Sequence, residues 1–170
     1  MNLQDYIRDI PNFPKQGILF KDITPLLNDP KASKFALDSL IELTSAMKID
    51  KVVGIESRGF FFATLLADRL GAGFVPVRKP NKLPFYKISQ EFELEYGTDR
   101  LEIHKDAIKQ GEKVLIHDDV LATGGTAEAT CKLVESLGGE IVQCNFLIEL
   151  SFLDGREILS NYNIKSLIKY

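Results

Sequence analysis

The chain is poor in cysteine, in histidine and in long runs of any one chemical kind. Cys131 and Cys144 are the only cysteines, and no CxxC pair exists. With only His104 and His117 beside them, the donors for a structural zinc site are missing. The thiols read instead as two buried, reduced side chains of a cytoplasmic protein. No apolar stretch approaches the roughly 18 residues that a bilayer-spanning helix needs. The opening MNLQDYIRDIPNF has neither a basic n-region nor an apolar h-region, so it is not expected to be a secretory signal. A formal net charge of −3 and the lack of a Lys/Arg run exclude a global basic field for nucleic acid or a membrane surface. Internal repeats, low-complexity tracts and interdomain linkers are missing too. What remains is 170 residues, 45 % hydrophobic and 26 % charged, a balance that suits one globular domain over 1–170.

Leu3, Ile7 and Ile10 share a helical face, which predicts a short amphipathic helix over the first ten residues, ended by Pro11 and Pro14. GILFKDITPLL is expected to be irregular or briefly extended. Asp29 as cap and Pro30 in the first turn predict a helix with Phe35, Leu40, Ile41 and Met47 on its apolar side. Alternation follows. KVVGIES reads as a strand, RGFFFATLLADRLG as a helix stopped by Gly71, and GFVPVRK as a strand. After a polar stretch FELEY is extended, VLIHD is a strand, and GTAEATCKLVESLGG is a helix with Ala127, Cys131, Val134 and Leu137 inward. IVQCNFLIEL and IKSLIKY close the chain as strands. Such alternation predicts an α/β fold with a mainly parallel central sheet flanked by helices. Ligands of these sheets gather beyond the carboxyl ends of the strands, where Glu56, Ser57, Arg58, Arg78, Lys79, Asp118 and Asp119 fall.

The most informative stretch is VLIHDDVLATGGTAEAT, residues 114–130. Ala122, Thr123, Gly124, Gly125 and Thr126 lead directly into a helix, whose first amides lack internal partners and whose dipole favours an anion. Two glycines permit positive φ and close backbone approach, and two threonines add hydroxyl donors. The loop is neither a Walker A nor a GxGxxG motif. It reads as a phosphate cradle, against the plainer alternative of a tight strand-to-helix turn. Asp118 and Asp119, just before it, would repel a phosphate and must face something else, a metal ion or a sugar diol. A ribose 5-phosphate satisfies both halves. If that ribose turns cationic, one carboxylate about 6 Å away at an effective dielectric of about 20 would favour it by at most ~3 kcal/mol, about two decades in rate.

The whole stretch VLIHDDVLATGGT resembles the phosphoribosyl-diphosphate (PRPP) signature of the type I phosphoribosyltransferase family. FPKQGILFKDITPLL, GIESRGFFFA, VPVRKPNKLP, LEYGTDRLEIHKDAI and IELSFLDGR resemble the adenine-using branch of that family, in order and over nearly the full chain. The resemblance implies a Rossmann-like type I phosphoribosyltransferase fold with a small N-terminal hood near 1–28 and a flexible loop. It implies transfer of the phosphoribosyl group of PRPP to adenine, giving AMP and diphosphate in purine salvage, with Mg²⁺ bound mainly through PRPP and diphosphate. Homodimers are also implied, and RGFFFATLL is apolar enough for either an interface or a core.

Carried over residue by residue, Ala122, Thr123, Gly124, Gly125 and Thr126 would hold the 5-phosphate, and Asp118 and Asp119 the ribose diol. Glu56, Ser57, Arg78 and Lys79 would address the diphosphate, with a cis bond between Glu56 and Ser57. Glu95 would be the catalytic glutamate at the purine, with Tyr96 beside it in the loop segment. Adenine would lie against the backbone of Leu19 and Lys21, with Phe20 stacked on its ring. On residues alone, Arg58 also reads as a surface salt-bridge partner, Lys79 as a solvated charge, Phe20 as a core aromatic and Glu95 as an exposed strand residue. KPNKLPFYKISQEF reads equally as a polar surface hairpin or, by resemblance, as the loop that closes over PRPP. Gln16, Asn81 and Phe92 depart from the family pattern, and His117, unusual in a buried parallel strand, is read as a satisfied, partly buried histidine. Ala122 stands where 6-oxopurine enzymes place an Asp, which favours adenine. The alternatives are a phosphoribosyltransferase for another base and a non-catalytic PRPP sensor, which would need a basic surface this chain lacks.

Overall fold

The computed structural model describes all residues but 45 and 94–96. They form two compact units, Met1–Ser39 and Leu40–Tyr170. In the first, a single 3-10 turn, Leu3–Tyr6, is capped by the Asn2 side chain, which accepts from the Gln4 amide. The helix expected over the first ten residues goes no further. Arg8–Pro11 is instead strand β1, antiparallel to β2, Leu19–Asp22. One helical turn before a proline cannot offset its nucleation cost, whereas the strand gains a ladder and two ion pairs across it. Lys21 Nζ lies 2.7 Å from Asp9 Oδ1, and Arg8 Nη1 lies 3.7 Å from Asp22 Oδ2. The connecting loop holds a cis Phe13–Pro14 bond and Gly17 at φ +89°, whose amide donates to Asn12 Oδ1.

Asp22 then accepts from the amide and hydroxyl of Thr24 and starts α1, Thr24–Asn28. Asp29 Oδ1 accepts from the amides of Lys31 and Ala32, both at 2.9 Å, which caps α2, Pro30–Leu43, as its sequence predicts. Because α2 ends at Leu43, Met47 falls outside it.

The second unit runs β3 (Lys51–Ile55), α3 (Gly59–Leu70), β4 (Gly73–Val77), β5 (Lys87–Glu93), β6 (Thr98–His104), β7 (Lys113–Leu121), α4 (Gly125–Ser136), β8 (Glu140–Glu149), α5 (Gly155–Ile158) and β9 (Ile164–Lys169). Among the described residues, five strands form a parallel sheet in the order β4-β3-β7-β8-β9. Side chains alternate across such a sheet. Val53, Ile55, Val114, Ile116, Cys144 and Phe146 point to one face and form a core with Ala127, Cys131 and Val134 of α4. The sulfur atoms of Cys131 and Cys144 are free, buried and 3.8 Å apart. On the opposite face Gly54 lets α3 approach closely, since a Cβ there would lie 2.8 Å from that of Ala63. Burying each large aliphatic or aromatic side chain of these layers stabilises by about 1.5–3 kcal/mol. Gly71, at φ +63°, ends α3 in the left-handed conformation.

The stretch KPNKLPFYKISQEF is less featureless than its polarity suggests. Its second half is β5, paired antiparallel with β6. Asn81, at φ +65°, takes the left-handed turn that Asn tolerates, and its amide donates to buried Glu102.

Strand order supplies the last constraint. From β3 the chain passes through α3 to β4, then returns to set β7 on the other side of β3. The order reverses between β3 and β7, which opens a crevice beyond their carboxyl ends.

Candidate active site

Two strand ends meet at that crevice. Glu56 and Ser57 leave β3 through a cis peptide bond. Asp118 and Asp119 lie near the end of β7, and the loop of residues 122–124 carries the chain into α4. The turn after β3 touches both acids. Arg58 Nε lies 2.9 Å from Asp119 Oδ2, at ion-pair distance but without hydrogen-bond alignment. A Cβ on Gly59 would fall 2.6 Å from Asp118 Oδ1 and 3.2 Å from Asp118 Cα, so only glycine lets the start of α3 rest on that acid. Asp118 Oδ1 also accepts from the Asp119 amide at 2.9 Å. Burial and the neighbouring Asp119 charge raise the Asp118 pKa well above the carboxylate range. Burial raises Asp119 as well, against the pull of Arg58. The pair is held in an environment that favours a cation or hydrogen-bond donors between the two carboxylates and solvent.

The loop after β7 runs directly into α4. Gly124, at φ +90°, is the N-cap of α4, which has no side-chain cap. The first amides of a helix lack intrahelical partners, and such an end without a side-chain cap suits an anion. A Cβ on Gly124 would lie 2.6 Å from the carbonyl oxygen of Gly155, and one on Gly155 would lie 2.1 Å from the carbonyl oxygen of Ala122. Two backbones thus touch without side chains between them. Thr123 is exposed, while Gly125 and Thr126 are half-buried. Phe92, the departure before the loop segment, packs against this start, its Cδ2 3.4 Å from the position of a Gly125 Cβ.

On the β4 side the cations are organised by an acid. Arg78 Nε and Nη2 donate to the two oxygens of Glu56 at 3.1 and 3.4 Å, and the Lys79 amide donates to Glu56 Oε2 at 2.9 Å. Burial works to raise the Glu56 carboxyl, but these bonds outweigh it and hold it below its ordinary range. The Glu56 side chain is thereby committed to orienting Arg78. Lys79 Nζ lies 3.4 Å from Asp99 Oδ2.

Asp118, Asp119, residues 122–126, Glu56, Ser57, Arg78 and Lys79 therefore belong to one set of strand ends. Leu19, Phe20 and Lys21 form β2 of the first unit, where Leu19 is exposed, Phe20 meets the Phe13 ring edge-on at 5.1 Å, and the buried Lys21 amine is held by Asp9. Glu95 and Tyr96 lie outside the described residues. His117 is more deeply placed than its sequence suggests. It is wholly buried, Nδ1 is 2.7 Å from Asn145 Oδ1, and Nε2 has no hydrogen-bond partner among the described residues. Burial lowers its pKa to about 4 against the pull of Asn145, so it is neutral. Sequence reasoning missed Gly59 and Gly155, which are recognisable only by what a side chain would strike. Arg58, readable as a surface salt-bridge partner, pairs with the buried acid Asp119.

A Phosphoribosyl transferase domain is matched over residues 26–158. An adenine phosphoribosyltransferase of Christiangramia forsetii is 64 % identical over 170 residues, covering 100 % of this chain and 99 % of that protein. The crystal structure of the adenine phosphoribosyltransferase from Thermoanaerobacter pseudethanolicus superposes with a TM-score of 0.97 at 56 % identity, covering 99 % and 100 % of the two chains. That of Saccharomyces cerevisiae, complexed with D-2,5-dideoxy-2,5-imino-altritol 1,6-bisphosphate and adenine, has a TM-score of 0.91 at 45 % identity, covering 96 % and 95 %. The chain belongs to the adenine phosphoribosyltransferase family.

Proposed function

We propose that this chain is one phosphoribosyltransferase domain that transfers the 5-phosphoribosyl group of PRPP to adenine, releasing diphosphate and forming AMP. The observation that carries this reading is the pairing of two acids with an amide cradle on one strand end, in a chain matched end to end by adenine phosphoribosyltransferases. The amides of residues 123–126 hold the 5-phosphate, and Asp118 and Asp119 accept from the ribose hydroxyls. Nitrogen 9 of adenine attacks the anomeric carbon as its bond to diphosphate breaks. Positive charge develops on the ribose ring, and the two carboxylates stabilise it. Arg78, aligned by Glu56, and Lys79 hold the departing diphosphate, together with the backbone at Ser57. Glu95 manages the purine proton. Residues near 1–28 serve as the hood, in which the backbone at Leu19 and Lys21 reads the adenine edge and Phe20 stacks on the ring. Tyr96 belongs to the segment that closes over PRPP.

Among the described residues no group of three or more His, Cys, Asp or Glu is placed to hold a metal. Mg²⁺ would be held mainly by diphosphate and ribose oxygens, as this cation commonly is. When bound there, Mg²⁺ supplies charge neutralisation for the leaving group. A homodimer also fits: Phe61 and Leu65 of α3 are 47 % and 43 % exposed, while Phe62 and Leu66 of the same helix fill the core. No helix among the described residues is long and apolar enough to cross a membrane. The proposed place of action is the cytoplasm.

The test is a parallel assay of adenine, hypoxanthine, guanine and xanthine with PRPP and Mg²⁺. AMP alone, lost on Glu95→Ala or on chelation, is the expected outcome. Product from a 6-oxopurine would overturn the base assignment. PRPP binding without turnover of any base would make the chain a sensor.

A further inference from the structure

We propose that Arg156 is a positioning residue for the loop of residues 122–126, acting through Gly155; this rests on reading that loop as the 5-phosphate cradle. Gly155 forms one wall of the loop. The position of a Cβ on it lies 2.1 Å from the Ala122 carbonyl oxygen and 3.0 Å from the Gly124 amide nitrogen, so any shift of Gly155 displaces the amides that would face phosphate. The neighbouring residue fixes that wall. Arg156 Nε and Nη2 donate to Glu149 Oε1 and Oε2 at 3.0 and 2.7 Å, and Nη1 donates to the Ile164 carbonyl at 3.1 Å. One guanidinium therefore ties the first turn of α5 to the end of β8 and the start of β9.

Glu149 is well placed as an anchor. It is buried, it also accepts from the Ser166 hydroxyl, and it is the register partner of Leu121, the last residue of β7 before the loop. The Leu150 amide donates to the Leu121 carbonyl at 2.9 Å. Both ends of the cradle thus refer to the same strand end, one through the β7–β8 ladder and the other through Arg156 and Gly155. The bidentate pair neutralises the guanidinium charge, so Arg156 sets geometry and does not itself attract the anion. The Arg156 bond holds Glu149 at a pKa of about 2, so the clamp stays closed throughout the neutral range.

Preorganised amides matter because a displacement of about 1 Å can cost about a hundredfold. The experiment is calorimetric titration of Arg156→Ala, Arg156→Lys and wild type with ribose 5-phosphate and, separately, with inorganic diphosphate. Arg156→Ala is expected to weaken ribose 5-phosphate binding by about 10- to 100-fold and leave diphosphate binding within twofold. Arg156→Lys, which keeps the charge but not the fork, should fall between. The loss should not vary between pH 6 and 9.

Val134→Ala, in the core beneath α4, serves as a control that lowers Tm without touching the clamp. If Arg156→Ala lowers affinity for both ligands equally, or no more than Val134→Ala does, Arg156 is merely structural and the inference falls. If Arg156→Ala does not fold, the same criteria apply to Arg156→Lys. A Thr123→Ala/Thr126→Ala double variant separates the two readings. If it leaves ribose 5-phosphate affinity unchanged, the cradle reading itself fails. If it weakens that affinity while both Arg156 variants do not, only the positioning role fails.

Discussion

Replacing Asp118 by Asn should make the unliganded protein more stable at neutral pH and less active. The substitution is nearly isosteric, and an Asn oxygen can keep the bond that Asp118 Oδ1 accepts from the Asp119 amide at 2.9 Å. What it removes is a negative charge that burial and Asp119 both oppose. Two neighbouring carboxylates at an effective dielectric of about 20 repel by a few kcal/mol. Arg58, 2.9 Å from Asp119, also attracts Asp118 and offsets part of this. A net gain of about 1–2 kcal/mol remains, or about 2–8 °C in Tm for a chain of this size.

The pH dependence carries its own sign. The folded-state pKa of Asp118 lies above its ordinary value of 3.8, so the folded protein holds the proton more tightly. Wild-type stability therefore falls as pH rises from that value through the folded pKa. The advantage of Asn should be complete above the window and absent below about pH 3.8. Thermal melts of both proteins between pH 4 and 8 read this directly. Activity should move the other way, because a hydrogen bond to a charged acceptor is worth about 1.5–3 kcal/mol, and kcat/KM should drop by about 10- to 100-fold or more. An Asn variant that melts at or below the wild-type temperature at pH 7.5 would refute the electrostatic account of the pair.

Other outcomes follow from the same geometry. Gly124→Ala puts a Cβ 2.6 Å from the Gly155 carbonyl oxygen at φ +90°, so PRPP affinity should fall by at least about a hundredfold, measured by KM. His117, neutral with a pKa of about 4 against an ordinary 6.5, makes stability decline as pH falls between those values, by about 3 kcal/mol in all. His117→Val should flatten that decline in urea melts. Glu56→Gln should raise the KM for PRPP more than that for adenine, because Arg78 loses the charge that aligns it at 3.1 Å. Cys131→Ser, which buries a hydroxyl in the α4 core, should cost about 1–3 kcal/mol in stability and leave kcat unchanged.

The α/β architecture was legible because buried parallel strands and amphipathic helices write different periods into a chain, and the stretches from KVVGIES to IVQCNFLIEL do so cleanly. The acids and the TGGT turn were legible for a related reason: their chemistry is local, nine contiguous positions, 118–126, on one strand–turn–helix. Capping was local as well, so Asp29 announced α2 and Gly71 ended α3. The first ten residues misled because a helical spacing of three apolar residues cannot compete with a strand partner eleven residues away, Leu19–Asp22. The polar segment 79–92 hid most of β5 because its partner, β6, supplies the ladder.

By itself, then, the sequence determined the class of the fold and the chemical character of the site, since both rest on neighbours within a turn or a strand. Only the tertiary structure decided that Arg58 faces Asp119, that Glu56 aligns Arg78, and that Gly155 walls the loop of residues 122–124 with Arg156 anchored behind it. Those contacts join segments up to 61 residues apart, as Arg58 and Asp119 are, and depend on the reversal of strand order between β3 and β7. No local period encodes that reversal. It is set by which strands pair.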